Sequence, residues 1–223
     1  MFQRSVFAIL LAGSALCAAD RFDYKVRNDF FAGFSGDKEA FARAMKTAEE
    51  VIAANPGEAA EALAWHGSGL LVMAGQKFQE GDAQTGSQFW AKGNAEMEQA
   101  GKLAPDTVGV LVPRAAVWFA ASRNLPKERA TPMITKAIAD YEHVYELQKS
   151  GFDTLPVHNR SELLFGLADG YARIGNGDKA SAYFKQLQAL GAKSGHMAQA
   201  DAYLAGNKYQ VTGTGCAGCH TGK

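Results

Sequence analysis

The chain has 223 residues, 47% of them hydrophobic, and its 23 basic side chains balance its 23 acidic ones. A nearly neutral chain without a basic run lacks the electrostatic footprint of a nucleic-acid-binding protein. Beyond the N-terminus no stretch approaches the roughly 20 apolar residues of a membrane span, so we expect no stable span in the mature chain. The hydrophobic residues suffice for one sizeable core.

Residues 1–19 have the pattern of a secretory signal peptide. Arg4 precedes an apolar stretch over 6–12 that is too short to span a membrane, and small residues lead up to Ala19. Cleavage after residue 18 or 19 removes Cys17 and leaves two cysteines, both near the C-terminus. We therefore expect an exported protein, with the bacterial periplasm as its location. The alternatives are an uncleaved membrane anchor and lipid attachment at Cys17.

Residues 20–206 carry apolar side chains at spacings of three and four, which predicts helices. At the start of this region Phe22, Tyr24 and Val26 occupy alternate positions, as in an extended strand, but the stretch is too short to make a sheet. A last helix is expected over 195–204, and Gly206 then opens a tail, residues 207–223, that begins rich in glycine and threonine. The pattern indicates one helical domain followed by a short irregular segment.

The helical spacing also repeats along this domain. The clearest unit covers residues 161–192, with these apolar positions on its two helices: Leu164, Leu167, Ala168 and Tyr171, then Ala180, Phe184 and Leu187. The spacing resembles the tetratricopeptide repeat, a helical hairpin of about 34 residues that stacks into a solenoid. The resemblance implies an all-α solenoid of three and a half degenerate units. The helices of its second unit would be longer by about two turns each. An unrelated helical bundle would show the same periodicity and remains the alternative.

Five residues near the end of the tail, Cys216-Ala217-Gly218-Cys219-His220, have the C-x-x-C-H form of a c-type haem attachment site. Both thiols can add to the haem vinyl groups, because a helical turn places residues three apart on one face. His220 is then the proximal iron ligand. Two other interpretations remain open: a zinc site, which lacks a fourth ligand at the usual spacing, and a redox disulfide, which usually begins a helix in a βαβ unit.

The motif resembles that of the soluble cytochrome c family, and the resemblance covers these five residues alone. In that family the motif lies near the N-terminus, and the chain after it wraps the haem and supplies a second iron ligand. Here only residues 221–223 follow. A distal ligand would therefore come from upstream or from a partner, or be absent. His196 and Met197 lie nearest in sequence and are the tentative distal ligands, whereas His66 is expected to be a hydrogen-bonded core residue.

These features together predict an exported monohaem c-type cytochrome. One covalent haem c would sit on the tail of a repeat scaffold, and a redox partner protein would dock on the repeat surface. An electron carrier or binding protein is favoured over an enzyme, because no paired carboxylates, Ser/His/Asp arrangement or phosphate loop stands out. The alternatives are a secreted tetratricopeptide-like adaptor without haem and an open-iron haem sensor or peroxidase.

Overall fold

The computed structural model of the chain describes residues 22–55, 58–191 and 196–209. Within these ranges the regular secondary structure is entirely helical, with no strand, so the predicted all-α class is confirmed. The expected signal peptide lies outside the described residues. So do Cys216, Cys219 and His220.

Nine α-helices and two short 3-10 segments follow one another along the described chain. The α-helices are α1 (Phe22–Phe34), α2 (Lys38–Ala54), α3 (Ala59–Gln79), α4 (Ala83–Leu103), α5 (Val108–Ala121), α6 (Lys127–Gln148), α7 (Val157–Arg173), α8 (Gly177–Ala189) and α9 (Met197–Leu204). The 3-10 segments, Ser122–Asn124 and Lys149–Thr154, directly follow α5 and α6.

Consecutive helices pair as hairpins: α1 with α2, α3 with α4, α5 with α6, and α7 with α8. Because short connections join the two helices of a pair, these helices run antiparallel. The second helix of each hairpin packs against the first helix of the next one. In addition, α3 contacts α1 and α5, α5 contacts α7, and α9 packs on α8. Each hairpin thus covers an apolar face of its neighbour.

The second hairpin is the longest, as the sequence predicts. Its helices α3 and α4 have 21 residues each, against 17 and 13 in α7 and α8. The two backbones approach closely at Gly67 and Gly93. A Cβ atom on Gly67 would lie 2.6 Å from the carbonyl oxygen of Gly93, so a side chain at this crossing would force the helices apart.

The stretch with Phe22, Tyr24 and Val26, which looks extended in the sequence, is helical instead and forms the start of α1. Phe22, Val26 and Phe30 follow a spacing of four and are buried, whereas Tyr24 is 53% exposed. A strand would have placed Tyr24 on the same face as its two apolar neighbours. Phe30 stacks on Trp65 of α3, with ring centroids 5.3 Å apart. The helix is therefore favoured because it buries Phe22, Val26 and Phe30 together on one face.

The close crossing of α3 and α4 can be tested with a matched pair of glycine substitutions. Gly67→Ala is expected to lower the free energy of unfolding by about 1–3 kcal/mol, because the new methyl group overpacks the crossing. Gly75→Ala lies in the same helix with no atom within 4 Å of the new Cβ, and it is expected to raise stability by up to about 1 kcal/mol. Urea unfolding measures both. Equal changes in the free energy of unfolding of the two variants would contradict the close approach of α3 and α4 at Gly67.

Candidate functional site

The last described residue, Tyr209, is anchored to the helical domain. After α9 the chain turns at Gly206, whose φ of +75° suits glycine. The Tyr209 hydroxyl then donates a hydrogen bond to Asp169 Oδ1 at 2.9 Å. The Tyr209 ring packs at steep angles on Phe184 and Tyr203, with centroids 5.6 and 6.1 Å away. The described chain therefore ends at a residue that is held against the helical domain by contacts with α7, α8 and α9.

Asp169 on α7 is the centre of a buried charged network. Its side chain is 4% exposed, and its Oδ2 accepts a hydrogen bond from Arg123 at 2.7 Å. Arg173 lies 3.8 Å from the same oxygen and donates a hydrogen bond to the hydroxyl of Ser122 at 2.7 Å. Burial and then the negative charge of Asp169 raise the pKa of Tyr209 above its ordinary value, so its hydroxyl remains the proton donor.

A cavity of about 440 Å³ opens beside this network. Its polar wall includes Arg123, Lys127 and Arg173, and Tyr209 closes one side. Its apolar lining comes from residues at the start of α6 and just before it: Leu125, Ala130 and Ile134. The cavity thus combines positive charge with an apolar surface at the point where the described chain ends.

A second cavity of about 230 Å³ lies on the other side of α6, and Leu125, which precedes this helix, lines both cavities. Arg129 lines the second cavity and Lys127 the first, and residues two apart in a helix point to nearly opposite sides. Trp90, Trp118 and Lys136 also line the second cavity.

Neighbouring polar groups hold the Trp118 ring beside the second cavity in place. The Trp118 indole donates a hydrogen bond to Asn94 at 3.0 Å, and the Arg114 guanidinium lies 4.9 Å from the centre of the same ring. The ring is 1% exposed. Since its donor is satisfied and its face is covered by a cation, Trp118 is fixed beside the second cavity and exposes almost none of its ring.

Two cations, one beside each cavity, lack an acidic partner in the described part of the chain. Arg123 pairs with Asp169, and Lys136 pairs with Glu98. Lys127 and Arg129 are exposed and form no ion pair with any described residue. Each cavity therefore has one cation that no described acidic side chain neutralises.

The predicted distal ligands occupy ordered positions in the domain. The His196 ring stacks on Phe165 with centroids 3.9 Å apart and planes 6° apart. Its Nε2 lies 2.9 Å from Glu162 Oε1. Met197 begins α9 and is half-buried. Ligation of iron through the His196 Nε2 would require this contact with Glu162 to break, and both residues remain predictions as ligands.

His66 is a core residue, as the sequence predicts. Its side chain is 2% exposed, and its Nδ1 lies 2.6 Å from Glu96 and its Nε2 3.2 Å from Glu49. Within residues 22–55, 58–191 and 196–209, no group of three or more His, Cys, Asp or Glu side chains is placed to hold a metal ion. The metal-binding residues that the sequence singles out, Cys216, Cys219 and His220, stay a prediction because they lie beyond Tyr209.

The Asp169 network and the anchor at Tyr209 were not predicted from the sequence. The available signals were an acidic residue inside the apolar stripe of α7 and a lone aromatic residue in a tail rich in glycine and threonine. Neither signal identifies its partner, because Asp169 is 46 residues from Arg123 and 40 from Tyr209.

Among the helices that the structure describes, none is both long and apolar enough to cross a membrane. Comparison with protein-family models, with curated proteins and with solved structures gives no match for this chain.

The anchor can be tested by removing one hydroxyl. Tyr209→Phe is expected to lower the free energy of unfolding by about 1 kcal/mol, because a buried carboxylate loses a donor. Tyr203→Phe is the control, since Tyr203 belongs to the same aromatic cluster and none of its described contacts is a hydrogen bond from its hydroxyl. Its stability should change by less than about 0.5 kcal/mol. Denaturant unfolding that showed no difference between the two variants would contradict the anchor.

Proposed function

We propose that this chain is an exported monohaem c-type cytochrome that exchanges electrons with a docked partner protein. The single observation that carries the proposal is the sequence Cys216-Ala217-Gly218-Cys219-His220. Its donor set fits covalent haem, since two thiols in the required order are followed directly by an imidazole. When bound, haem supplies one-electron exchange at its iron.

Residues of the chain itself have three roles in this proposal. Cys216 and Cys219 hold the porphyrin through thioether bonds, and His220 binds the iron. Tyr209 fixes the point from which the haem-bearing segment leaves the domain, through its hydrogen bond to Asp169. Because seven residues lead from Tyr209 to Cys216, the first thioether lies within about 25 Å of that point.

The scaffold is proposed to be a tetratricopeptide-like solenoid. Four consecutive helical hairpins support this, since each contacts its neighbours in chain order. The last hairpin, α7 and α8, carries the clearest repeat spacing, and α9 packs on it as a terminal cap would. Solenoids present extended surfaces to other proteins, so we place the redox partner on the repeat surface. A small, weak interface suffices for electron exchange.

Export supports the same proposal. The pattern of residues 1–19 indicates a secretory signal peptide, and c-type haem is attached outside the bacterial cytoplasm. Cleavage of that segment would leave the two motif cysteines as the only thiols of the mature chain. We therefore propose the periplasm as the location.

Covalent haem attachment gives a direct test. Full-length protein from a bacterial host with c-haem maturation is expected to give a haem-stained band on a denaturing gel and sharp visible bands after dithionite reduction. The variant Cys216→Ala/Cys219→Ala is expected to lose the stain and to keep its far-ultraviolet circular dichroism, since the described helices do not include either residue.

Cys17→Ala is the matched control, because it removes the third cysteine of the chain and should leave the stain unchanged. A colourless wild-type protein from the same host would contradict the proposal and favour the secreted adaptor without haem.

One observation favours a second candidate, an open-iron haem sensor or peroxidase. The Nε2 of His196, one of the two imidazole nitrogens that could act as a distal ligand, already contacts Glu162 at 2.9 Å. For this candidate, carbon monoxide should bind the reduced protein, and His196→Phe should leave the spectrum unchanged while preserving the stack on Phe165. Loss of a low-spin spectrum in His196→Phe would instead assign His196 as the distal ligand. The same loss in Met197→Leu would assign Met197.

A further inference from the structure

We propose that the cavity of about 440 Å³ beside Asp169 is a binding site for a small organic acid. The carboxylate of this ligand pairs with Arg123 and Lys127, and its apolar body lies against Leu125 and Ile134. The lining residues belong to the described helical domain and its last residues, so the inference does not depend on the proposed haem.

The charges around the cavity favour an anionic ligand. Its described lining holds three basic side chains and one acidic side chain: Arg123, Lys127, Arg173 and Asp169. Both carboxylate oxygens of Asp169 have partners inside the domain, since Oδ2 accepts a hydrogen bond from Arg123 and Oδ1 accepts one from Tyr209. Two positive charges are therefore in excess beside the cavity, and a bound anion would offset part of this excess.

The hydrogen-bond donors left for a ligand point to a carboxylate. Ser122, Thr131 and Tyr209 line the cavity, but each hydroxyl already donates its proton to a carbonyl or carboxylate oxygen of the domain. Arg123 has five N–H donors in its guanidinium, and Lys127 forms no ion pair with any described residue. The remaining donors are thus cationic, and their hydrogen bonds to a carboxylate are stronger than those to a neutral acceptor.

Arg173 is a fixed and poorly hydrated cation beside the cavity. Its side chain is 18% exposed and donates hydrogen bonds to the carbonyl oxygen of Phe119 at 3.1 Å and to the Ser122 hydroxyl at 2.7 Å. Burial, opposed in part by the charge of Asp169, lowers the pKa of Arg173 because it removes water from the guanidinium. A ligand carboxylate would compensate for part of that lost hydration.

The volume and the apolar lining indicate an organic ligand. A volume of about 440 Å³ falls within the range of ligand pockets, roughly 300–1,000 Å³. Leu125, Ala130 and Ile134 supply apolar surface. An acid with a ring or a branched chain buries apolar area against these residues, whereas an inorganic anion gains nothing from them.

Isothermal titration calorimetry of the full chain, at constant ionic strength, tests the ligand class with three probes. Sodium benzoate carries a carboxylate on an apolar ring, benzamide carries the same ring without the charge, and inorganic phosphate carries charge without the ring. Benzoate is expected to bind at one site. Benzamide and phosphate are expected to bind at least about tenfold more weakly, since each lacks one of the two features.

Lys127→Gln and Arg129→Gln form a matched pair of variants. Both residues are exposed in the first turn of α6 and form no ion pair with any described residue, but Arg129 lines the other cavity. Lys127→Gln is expected to weaken benzoate binding about tenfold, because the ligand loses a cationic donor. Arg129→Gln is expected to change it by less than about twofold.

Methyl NMR spectroscopy locates the bound probe. The ring current of benzoate is expected to shift the methyl signals of Ile134, which lines the cavity. Ile52 lies in α2 and does not line the cavity, so its methyl signals should stay in place.

Five results would each overturn the inference: no binding of benzoate, equal affinities in Lys127→Gln and Arg129→Gln, binding without a shift at Ile134, phosphate binding as tight as that of benzoate, or benzamide binding as tight. Equal binding of phosphate would make the cavity a general anion site, and equal binding of benzamide would show that the cations play no part. Haem staining of the same samples tests the proposed function separately, so the two can fail independently.

Discussion

The buried carboxylate of Asp169 is the interaction on which the geometry of the C-terminal region depends. An unpaired charge in such a position costs several kcal/mol, and here Arg123 and Arg173 compensate it while Tyr209 donates a hydrogen bond. These partners come from three separate parts of the chain, so one carboxylate joins the segment after α5, the helix α7 and the segment after α9. The cavity of about 440 Å³ and the last described residue, Tyr209, are consequently held beside each other.

This arrangement relates the scaffold to the proposed chemistry. The anchor at Tyr209 fixes the last described residue, which precedes Cys216 by seven residues in the sequence. The haem that we propose at Cys216 would therefore be attached within about 25 Å of the helical domain.

Local patterns of the sequence predicted the helices, but they could not predict which residues far apart in the chain pair with each other. The stripe of α7 and α8, including Leu164 and Phe184, follows directly from helical spacing, because a helix repeats every 3.6 residues. At Phe22 and Val26 a short stretch fits both alternation and helical spacing, and only packing against α3 decides between them. The C-x-x-C-H motif is likewise local. The cavity beside Asp169 is not, since it depends on which helices become neighbours.

Intact mass spectrometry of the protein recovered from the periplasm tests the central claim most directly. The account predicts one species, whose mass equals that of the chain after cleavage at residue 18 or 19 plus one haem that survives denaturation. The bare mass of the cleaved chain, from a host that attaches haem to another c-type cytochrome, would contradict it.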